Sequence, residues 1–360
     1  MKVLHVITTI DFGGAEKQLV ILVQAQVKRG MSVEVIPLKG EALLLNKFLD
    51  CGATVNTSLL EHNSIRQIRI LRKINRNNKN SILHAHLPQS EIFAAISKHA
   101  SQKLIISRHN SEKFFPMVPR PLSSWISRLV LSRCLDVIAI SKSVRNYLLD
   151  AREINQNQNI SVVYYGIDRI NCKRINNGQK EFVNDYFTIG TVARLVKQKN
   201  LETLLKAFAE LREFQNNCQL IIVGEGPLKP KLVALSRKLK LDNSIIWHSK
   251  SENIFEIMER LDLFVLPSLY EGFGLVYLEA MCAGIPILSS KNNAAIEIFG
   301  IDNEILFNLK DHKELFLKMK DLMNDDRATQ NLKTCRVIIK NFDHLKMETA
   351  IYKTYKRVTN

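Results

Sequence analysis

A chain of 360 residues, 46% hydrophobic and 24% charged, has material for two globular cores. No run approaches the roughly 18 apolar residues of a membrane span, so a spanning protein and a disordered one are both disfavoured. The net charge of +16 is lopsided: residues 1–180 hold 26 Lys and Arg against 12 Asp and Glu (+14), the remainder 25 against 23 (+2).

The start, MKVLHVITTIDFGG, turns polar too soon for a secretion signal. Residues 3–7 read instead as a buried first strand. Gly13 and Gly14 follow, then an amphipathic helix to about Lys28 that Gly30 stops. Strand, glycine turn and helix open a doubly wound sheet, but the turn is not GxGxxG, which disfavours a nicotinamide site. Taken alone, Gly13 and Gly14 are a plain turn or a ligand loop. Further strands at 33–37, 82–86, 104–107, 137–141 and 161–163 alternate with helices, the pattern of a parallel sheet covered on both faces. Ligands of such sheets bind beyond the carboxyl ends of the strands. There lie His84 and His86, Arg108-His109-Asn110, and Ser141, which reads as a helix cap. Residues 120–133 form a basic amphipathic segment with Trp125, Ile126, Leu129 and Val130 on one side. It reads equally as a membrane-surface helix or a packed connection.

Tyr165-Gly166-Ile167-Asp168 closes the first half, and the polar, unpatterned residues 171–185 read as a linker. A second sheet begins with a strand at 187–192. The loop after it carries Arg194 and Lys199, two cations before a helix start. Cations there oppose the helix dipole unless an anion sits between them, and together they can clamp a diphosphate. A strand at 220–223 ends in Gly224-Glu225-Gly226-Pro227, with Pro227 suited to a first helical turn. After strands at 245–248 and 261–266 comes SLYEGFGLVYLEAMCAGIPILSS, residues 268–290. It reads as a tight loop, a helix over 275–283 stopped by Gly284, and a strand over 285–289. A helix amino end beside glycines attracts phosphate, and two carboxylates, Glu271 and Glu279, stand where sugar hydroxyls could be gripped. From residue 311 the pattern is helical.

The Glu271-x7-Glu279 pair, set in PS–EGFG–LEA–G–P, resembles the donor-site signature of retaining glycosyltransferases of family 4. The loop at 193–200 is similar to that family's GRL–KG, with Ala193 and Asn200 in place of its glycines. Gly224-Glu225-Gly226-Pro227 is similar to its G-[DE]-G-P, Gly13-Gly14-Ala15-Glu16 to its first loop, and residues 165–168 to its NG-[IV]-D, with Tyr165 replacing Asn. His109 stands where the family has a polar strand-end histidine; Asn110 replaces the acid that often follows it. Ile296-Glu297-Ile298 resembles a later donor-pocket segment that lacks its usual glycines, with Asn292 and Asn293 in their place.

The resemblance implies a GT-B fold, two doubly wound α/β domains facing across a cleft: an acceptor-side domain over 1–170, a linker over 171–185, a nucleotide-sugar domain over 186–340, and a helix within 341–360 that crosses back to the first domain. It implies a hexosyltransferase moving a sugar, with retention, from a UDP- or GDP-linked donor to a saccharide hydroxyl, typically on a lipid-linked glycan of cell-surface polysaccharide. The implied catalytic residues are His109 and Glu271. The implied donor-binding residues are Gly13, Gly14, Arg194, Lys199, Gly224, Glu225, Gly272, Phe273, Gly274, Leu275 and Glu279. No DxD is present, so no metal and no cofactor are expected. A transferase of the same fold acting on a soluble sugar is the alternative.

The basic half points to an anionic partner, with a coding bias toward Lys and Asn as the bland explanation. Nucleic acid is not expected: there is no zinc spacing, no aromatic RNP motif and no basic helix in register with heptads. The remaining reading is a cytoplasmic protein held peripherally on the inner face of the membrane. Six scattered cysteines (51, 134, 172, 218, 282, 335) without CxxC read as buried free thiols of a reducing compartment.

Overall fold

The computed structural model describes the whole chain except residues 116, 156, 169–171, 173–185, 250–253 and 360. The linker expected over 171–185 therefore lies outside the described residues, apart from Cys172. The chain divides into two compact units, Met1–Ile167 with Phe342–Asn360, and Asp168–Asn341.

The first unit runs β1 (Lys2–Ile7), α1 (Gly14–Lys28), β2 (Ser32–Pro37), α2 (Leu45–Asp50), β3 (Thr54–Val55), α3 (Ser64–Asn77), β4 (Ile82–His86), α4 (Pro88–Ser97), β5 (Lys103–Arg108), α5 (Arg120–Leu131), β6 (Asp136–Ala139), α6 (Lys142–Asp150) and β7 (Ile160–Val162). Its strands lie in the order β3-β2-β1-β4-β5-β6-β7 and pair in parallel. The order reverses between β1 and β4, so the loops after these two strands flank the switch point where such sheets bind ligands. Every residue of β4 is buried, as a strand covered on both faces requires.

The second unit runs β8 (Phe187–Val192), α7 (Leu201–Phe214), β9 (Cys218–Val223), α8 (Lys229–Lys238), β10 (Ile245–His248), α9 (Ile254–Met258), β11 (Leu263–Leu266), α10 (Leu275–Ala283), β12 (Ile287–Ser290), α11 (Asn293–Phe299), β13 (Leu306–Phe307), α12 (His312–Asp321) and α13 (Asp325–Ile338). This sheet is also parallel, in the order β10-β9-β8-β11-β12-β13, with its switch point between β8 and β11. Leu204, Leu205, Phe208 and Leu211 of α7 pack on Leu220, Ile222, Leu263 and Val265 of the sheet. Each such side chain contributes ~1.5–3 kcal/mol by leaving water.

The chain returns to the first unit through α14 (His344–Thr359). Ile167 N–H donates to Phe342 O at 3.0 Å, and His344 N–H to Ile167 O at 3.3 Å. A Cβ on Gly166 would stand 2.4 Å from His344 Cα, so only glycine admits this crossing. On α14, Glu348 accepts from Arg29 Nε at 2.6 Å, and Arg357 pairs with Asp136 of β6.

Several expectations need correction. Pro227 precedes α8 rather than starting it; Pro230 occupies that first turn. The strand expected at 285–289 is Ile287–Ser290, and the one expected at 137–141 is Asp136–Ala139; Ser141 lies beyond it and caps α6 as read, accepting from Val144 N–H at 3.0 Å. Trp125, Leu129 and Val130 do not share a face. Trp125 and Leu129 are 60% and 55% exposed, whereas Val130 is buried beside Ser123, Ser124 and Ser127. Cys172 and Cys282 are joined in a disulfide, against the expectation of free thiols; Cys51, Cys134, Cys218 and Cys335 are free.

Candidate active site

In the second unit the loops after β8 and β11 meet at the switch point. Leu269 N–H donates to Gln198 O at 2.8 Å, Gln198 Nε2 to Tyr270 O at 2.8 Å, and Asn200 Nδ2 to Pro267 O at 3.2 Å. This lacing sets Lys199 Nζ 2.5 Å from Glu271 Oε1, an ion pair with side chains only 13% and 8% exposed. Asn200 takes φ +49, a left-handed residue at the position where the sequence pattern has a glycine. Arg194, on the same loop, is exposed.

The loop after β9 is laced in turn to that of β8: Leu195 N–H donates to Glu225 O at 2.9 Å and Leu228 N–H to Leu195 O at 3.0 Å. Gly224 has φ +143, and a Cβ there would lie 2.0 Å from Ala193 O, so the approach of these loops demands glycine. The Glu225 side chain points to solvent and pairs with Lys229 at 3.0 Å. Four of the candidate donor residues, Arg194, Lys199, Gly224 and Glu225, thus stand on two interlaced loops.

Glu271, Gly272, Phe273, Gly274 and Leu275 carry the chain from the β11 side into α10. Gly274 is the N-cap with φ +86, and no side chain caps this end, so the positive end of the helix dipole is presented to an anion. Glu279, one helical segment on, is 7% exposed, as is Glu271. The β11 loop is braced from behind: Asn292 Nδ2 donates to Ser268 O at 3.2 Å and its Oδ1 caps α11, while Tyr277 bonds Ser289 at 2.6 Å. Asn292 is thus a helix cap in extended conformation and Asn293 the first residue of α11, rather than the glycine-like turn expected of the two. A cavity of about 410 Å³ beside α12 and α13, bordered by Lys318, Asp321 and Arg327, includes none of the candidate residues.

In the first unit Gly13 and Gly14 open α1, with Thr9 Oγ1 donating to Glu16 Oε1 at 2.7 Å. Four histidines line the sheet's carboxyl end. His5 pairs in register with His84, and His86 stands two residues on, so all three imidazoles share one sheet face. His5 Nδ1 lies 2.9 Å from His86 Nε2, and His86 Nδ1 lies 3.2 Å from His109 Nε2. His109 Nδ1 meets the hydroxyl of Tyr165. His5 Nε2 bonds Gln26 Oε1 at 2.9 Å; Gln26 Nε2 donates to Tyr355 at 3.2 Å; Tyr355 bonds His84 Nδ1 at 2.7 Å, and His84 Nε2 bonds Ser107 at 2.7 Å.

Burial holds these rings neutral. It lowers His5 to about 4 and His109 to about 3, with Arg108 adding to the effect at His109, and it lowers His84 and His86 with help from their neighbouring imidazoles. A neutral His109 is a hydrogen-bonding group rather than an imidazolium acid. Imidazole nitrogens of His5, His84 and His86 fall within 4.8 Å of one another, as in a metal trio, yet every one of those nitrogens already bonds a protein group. Arg108 is structural: its Nε lies 2.8 Å from Glu91 Oε2 and its guanidinium also reaches Glu153, Ser127 and the face of Phe114.

Sequence reasoning named His109, Arg194, Lys199, Glu271 and Glu279. It missed His5, Gln26 and Tyr355, and the ties made by Gln198. The HxH of β4 facing a lone histidine on β1 is the signal that would have found the imidazole cluster.

Known proteins bear on both units. The model of the family described as Glycosyltransferase Family 4 matches residues 12–169, and that of Glycosyl transferases group 1 matches residues 173–342. The chain is 26% identical to the putative glycosyltransferase EpsF of Bacillus subtilis, over 80% of this chain and 79% of that protein. It is 29% identical to the N-acetylgalactosamine-N,N'-diacetylbacillosaminyl-diphospho-undecaprenol 4-alpha-N-acetylgalactosaminyltransferase of Campylobacter jejuni, over 52% of this chain and 50% of that one. Among solved structures, Anabaena Alr3699/HepE in complex with UDP superposes with a TM-score of 0.80 at 19% identity, covering 99% of this chain and 100% of that chain.

Proposed function

Since the chain belongs to the glycosyltransferases, family 4 in its first half and group 1 in its second, with the GT-B fold, we propose that it moves a sugar from a UDP- or GDP-linked donor, with retention, to a hydroxyl of a lipid-linked saccharide. The observation that carries this reading is the Lys199–Glu271 pair at the switch point, on the loops that also carry Arg194 and lead into the start of α10, which no side chain caps. A lysine ammonium has three donors; one holds Glu271, and the others are available to a diphosphate. Arg194, Lys199 and the amino end of α10 take up the charge of the leaving diphosphate without a metal. Glu279 grips the ribose, and Glu271 orients the sugar as positive charge develops on it. The sugar departs through an oxocarbenium-like state, and the acceptor hydroxyl attacks from the face the diphosphate leaves, giving its proton to that phosphate. No enzymic nucleophile is assigned, because Glu271 and Glu279 do not form the two-carboxylate arrangement of retaining hydrolases. His109, neutral, receives a hydrogen bond from a sugar hydroxyl.

The lipid part rests on two observations, the +14 balance of residues 1–180 and the exposure of Leu122, Trp125 and Leu129 on α5, next to Arg120 and Arg128. Each basic residue near an anionic surface contributes ~1 kcal/mol, within a Debye length of ~8–10 Å. Among the described residues no helix is long and apolar enough to cross a membrane, so the attachment proposed is peripheral.

The test is transfer from a panel of UDP- and GDP-sugars to polyprenyl-diphosphate-linked and to free saccharides, with the product's anomeric configuration read by NMR. Retained configuration on the lipid-linked acceptor supports the proposal. Inversion refutes the mechanism, and equal or better transfer to free sugar, with no co-sedimentation on anionic vesicles at low salt, refutes the acceptor.

A further inference from the structure

The buried imidazole chain ends on the Gln26 amide, and the way that amide is turned sets the direction of every bond along the chain. Gln26 donates through Nε2 to Tyr355, which leaves Oε1 facing His5, and a carbonyl oxygen only accepts. His5 must then carry its proton on Nε2 and offer Nδ1 as acceptor. His86, facing that Nδ1 through its Nε2, must donate there and accept at Nδ1. His109, facing His86 Nδ1 through its own Nε2, must do the same, so its Nδ1 is a lone pair receiving the Tyr165 hydroxyl. The other arm agrees: Tyr355 accepts from Gln26, donates to His84 Nδ1, and His84 Nε2–H donates to Ser107. Every donor meets an acceptor with all four rings neutral, the state that burial favours. The Nε2–H form is also the one that free neutral histidine prefers.

From this geometry we infer that Gln26 is a positioning residue for His109: acting through His5 and His86, it fixes His109 as the Nε2–H tautomer and so makes the outward nitrogen an acceptor. The inference rests on the proposal above that His109 faces the sugar. It adds that His109 selects a hydroxyl which donates, and that Tyr165 holds this lone pair until a sugar hydroxyl replaces the phenol. Tyr165 stands where the related sequence motif has Asn, so this occupant departs from the motif. Gln26 itself is 1% exposed, far from any direct part in substrate binding.

The experiment is long-range proton–nitrogen correlation NMR on the full chain with 15N-labelled histidine, the signals assigned through single histidine substitutions. The wild type is expected to show His5, His86 and His109 all as Nε2–H. The opposite sense, with protons on Nδ1, an imidazolium at His109, or a metal bound to His5, His84 and His86 overturns the inference. Tyr165→Phe is expected to leave His109 as Nε2–H; a switch to Nδ1–H would mean that Tyr165, not Gln26, sets the tautomer. Gln26→Leu is expected to give a second tautomer at His109 and to lower kcat by about tenfold or more, since an imidazole in the wrong tautomer can lose far more, with donor KM unchanged. A fall in kcat with the tautomer intact would make Gln26 merely structural. The spectra need no turnover, so a failure of the transferase reading leaves the tautomer result to stand or fall by itself.

Discussion

Replacing Lys199 by Ala should do more than weaken donor binding; it should take the neighbouring ammonium from a buried carboxylate. Glu271 sits with its side chain 8% exposed and an ammonium 2.5 Å from Oε1. At an effective dielectric of 20 the pair's attraction is on the order of 5 kcal/mol, most of it offset by desolvation of the two ions. Removing one partner of a fully buried pair costs ~3–5 kcal/mol; the partial exposure of Lys199 lowers this to about 2–3 kcal/mol. For a unit of this size each kcal/mol moves Tm by ~2–4 °C, so Lys199→Ala should lower the transition of the second unit by about 5–10 °C. Lys199→Ala combined with Glu271→Gln removes the buried negative charge as well and should recover most of the loss, a coupling of ~1–3 kcal/mol. The assay is calorimetric or fluorescence-monitored unfolding of the whole chain without nucleotide, the two units being read as separate transitions. If Lys199→Ala unfolds within about 1 °C of wild type, or the double variant is no more stable than the single one, the pair is not the buried, coupled element described here.

Three further outcomes follow from the site. Glu279→Gln should chiefly raise donor KM and Glu271→Gln chiefly lower kcat, because a ribose contact persists from ground to transition state whereas sugar orientation matters as charge develops; steady-state kinetics with the reverse pattern would exchange their roles. Transfer should survive excess EDTA, and loss of activity restored by Mn2+ or Mg2+ would contradict charge neutralisation by Arg194, Lys199 and α10 alone. The first unit should be acid-sensitive: His5, His84, His86 and His109 have folded pKa values below 6.5, so the unfolded chain binds more protons as pH falls below 6.5. Each ring then withdraws up to ~1.4 kcal/mol per pH unit until its folded value is reached, and a Tm of that unit that stays flat between pH 7 and 5 would refute neutral burial.

Much of the fold was legible because local chemistry bounded it. Phe187–Val192 and Leu275–Ala283 agree with the sequence reading to the residue, the latter held between two glycines in left-handed conformation, Gly274 and Gly284. The two-residue strands Thr54–Val55 and Leu306–Phe307 have no periodicity to read and exist only through their neighbours. The face of α5 misled for a tertiary reason: Ser127 turns inward to Arg108 and Glu153, which leaves Leu122, Trp125 and Leu129 outside. At the site, motif spacing named Lys199 and Glu271 but could not say that they pair, because their contact depends on loops laced by backbone bonds across 72 residues. The chain from Gln26 to His109 was hidden for the same reason, its His5–His86 link spanning 81 residues. The Cys172–Cys282 bond, 110 residues apart, leaves no trace in spacing.

The central claim is that Arg194 and Lys199 hold the diphosphate of a nucleotide sugar beside Glu271 and the start of α10. Calorimetric titration of UDP and of GDP into the wild type, Arg194→Ala and Lys199→Ala tests it most directly. The account predicts that one of the two nucleotides binds the wild type and that each substitution weakens it by the loss of a charge-assisted contact, ~1.5–3 kcal/mol, or about 10- to 150-fold in Kd. An affinity unchanged in both variants, or no binding of either nucleotide to the wild type, would contradict it.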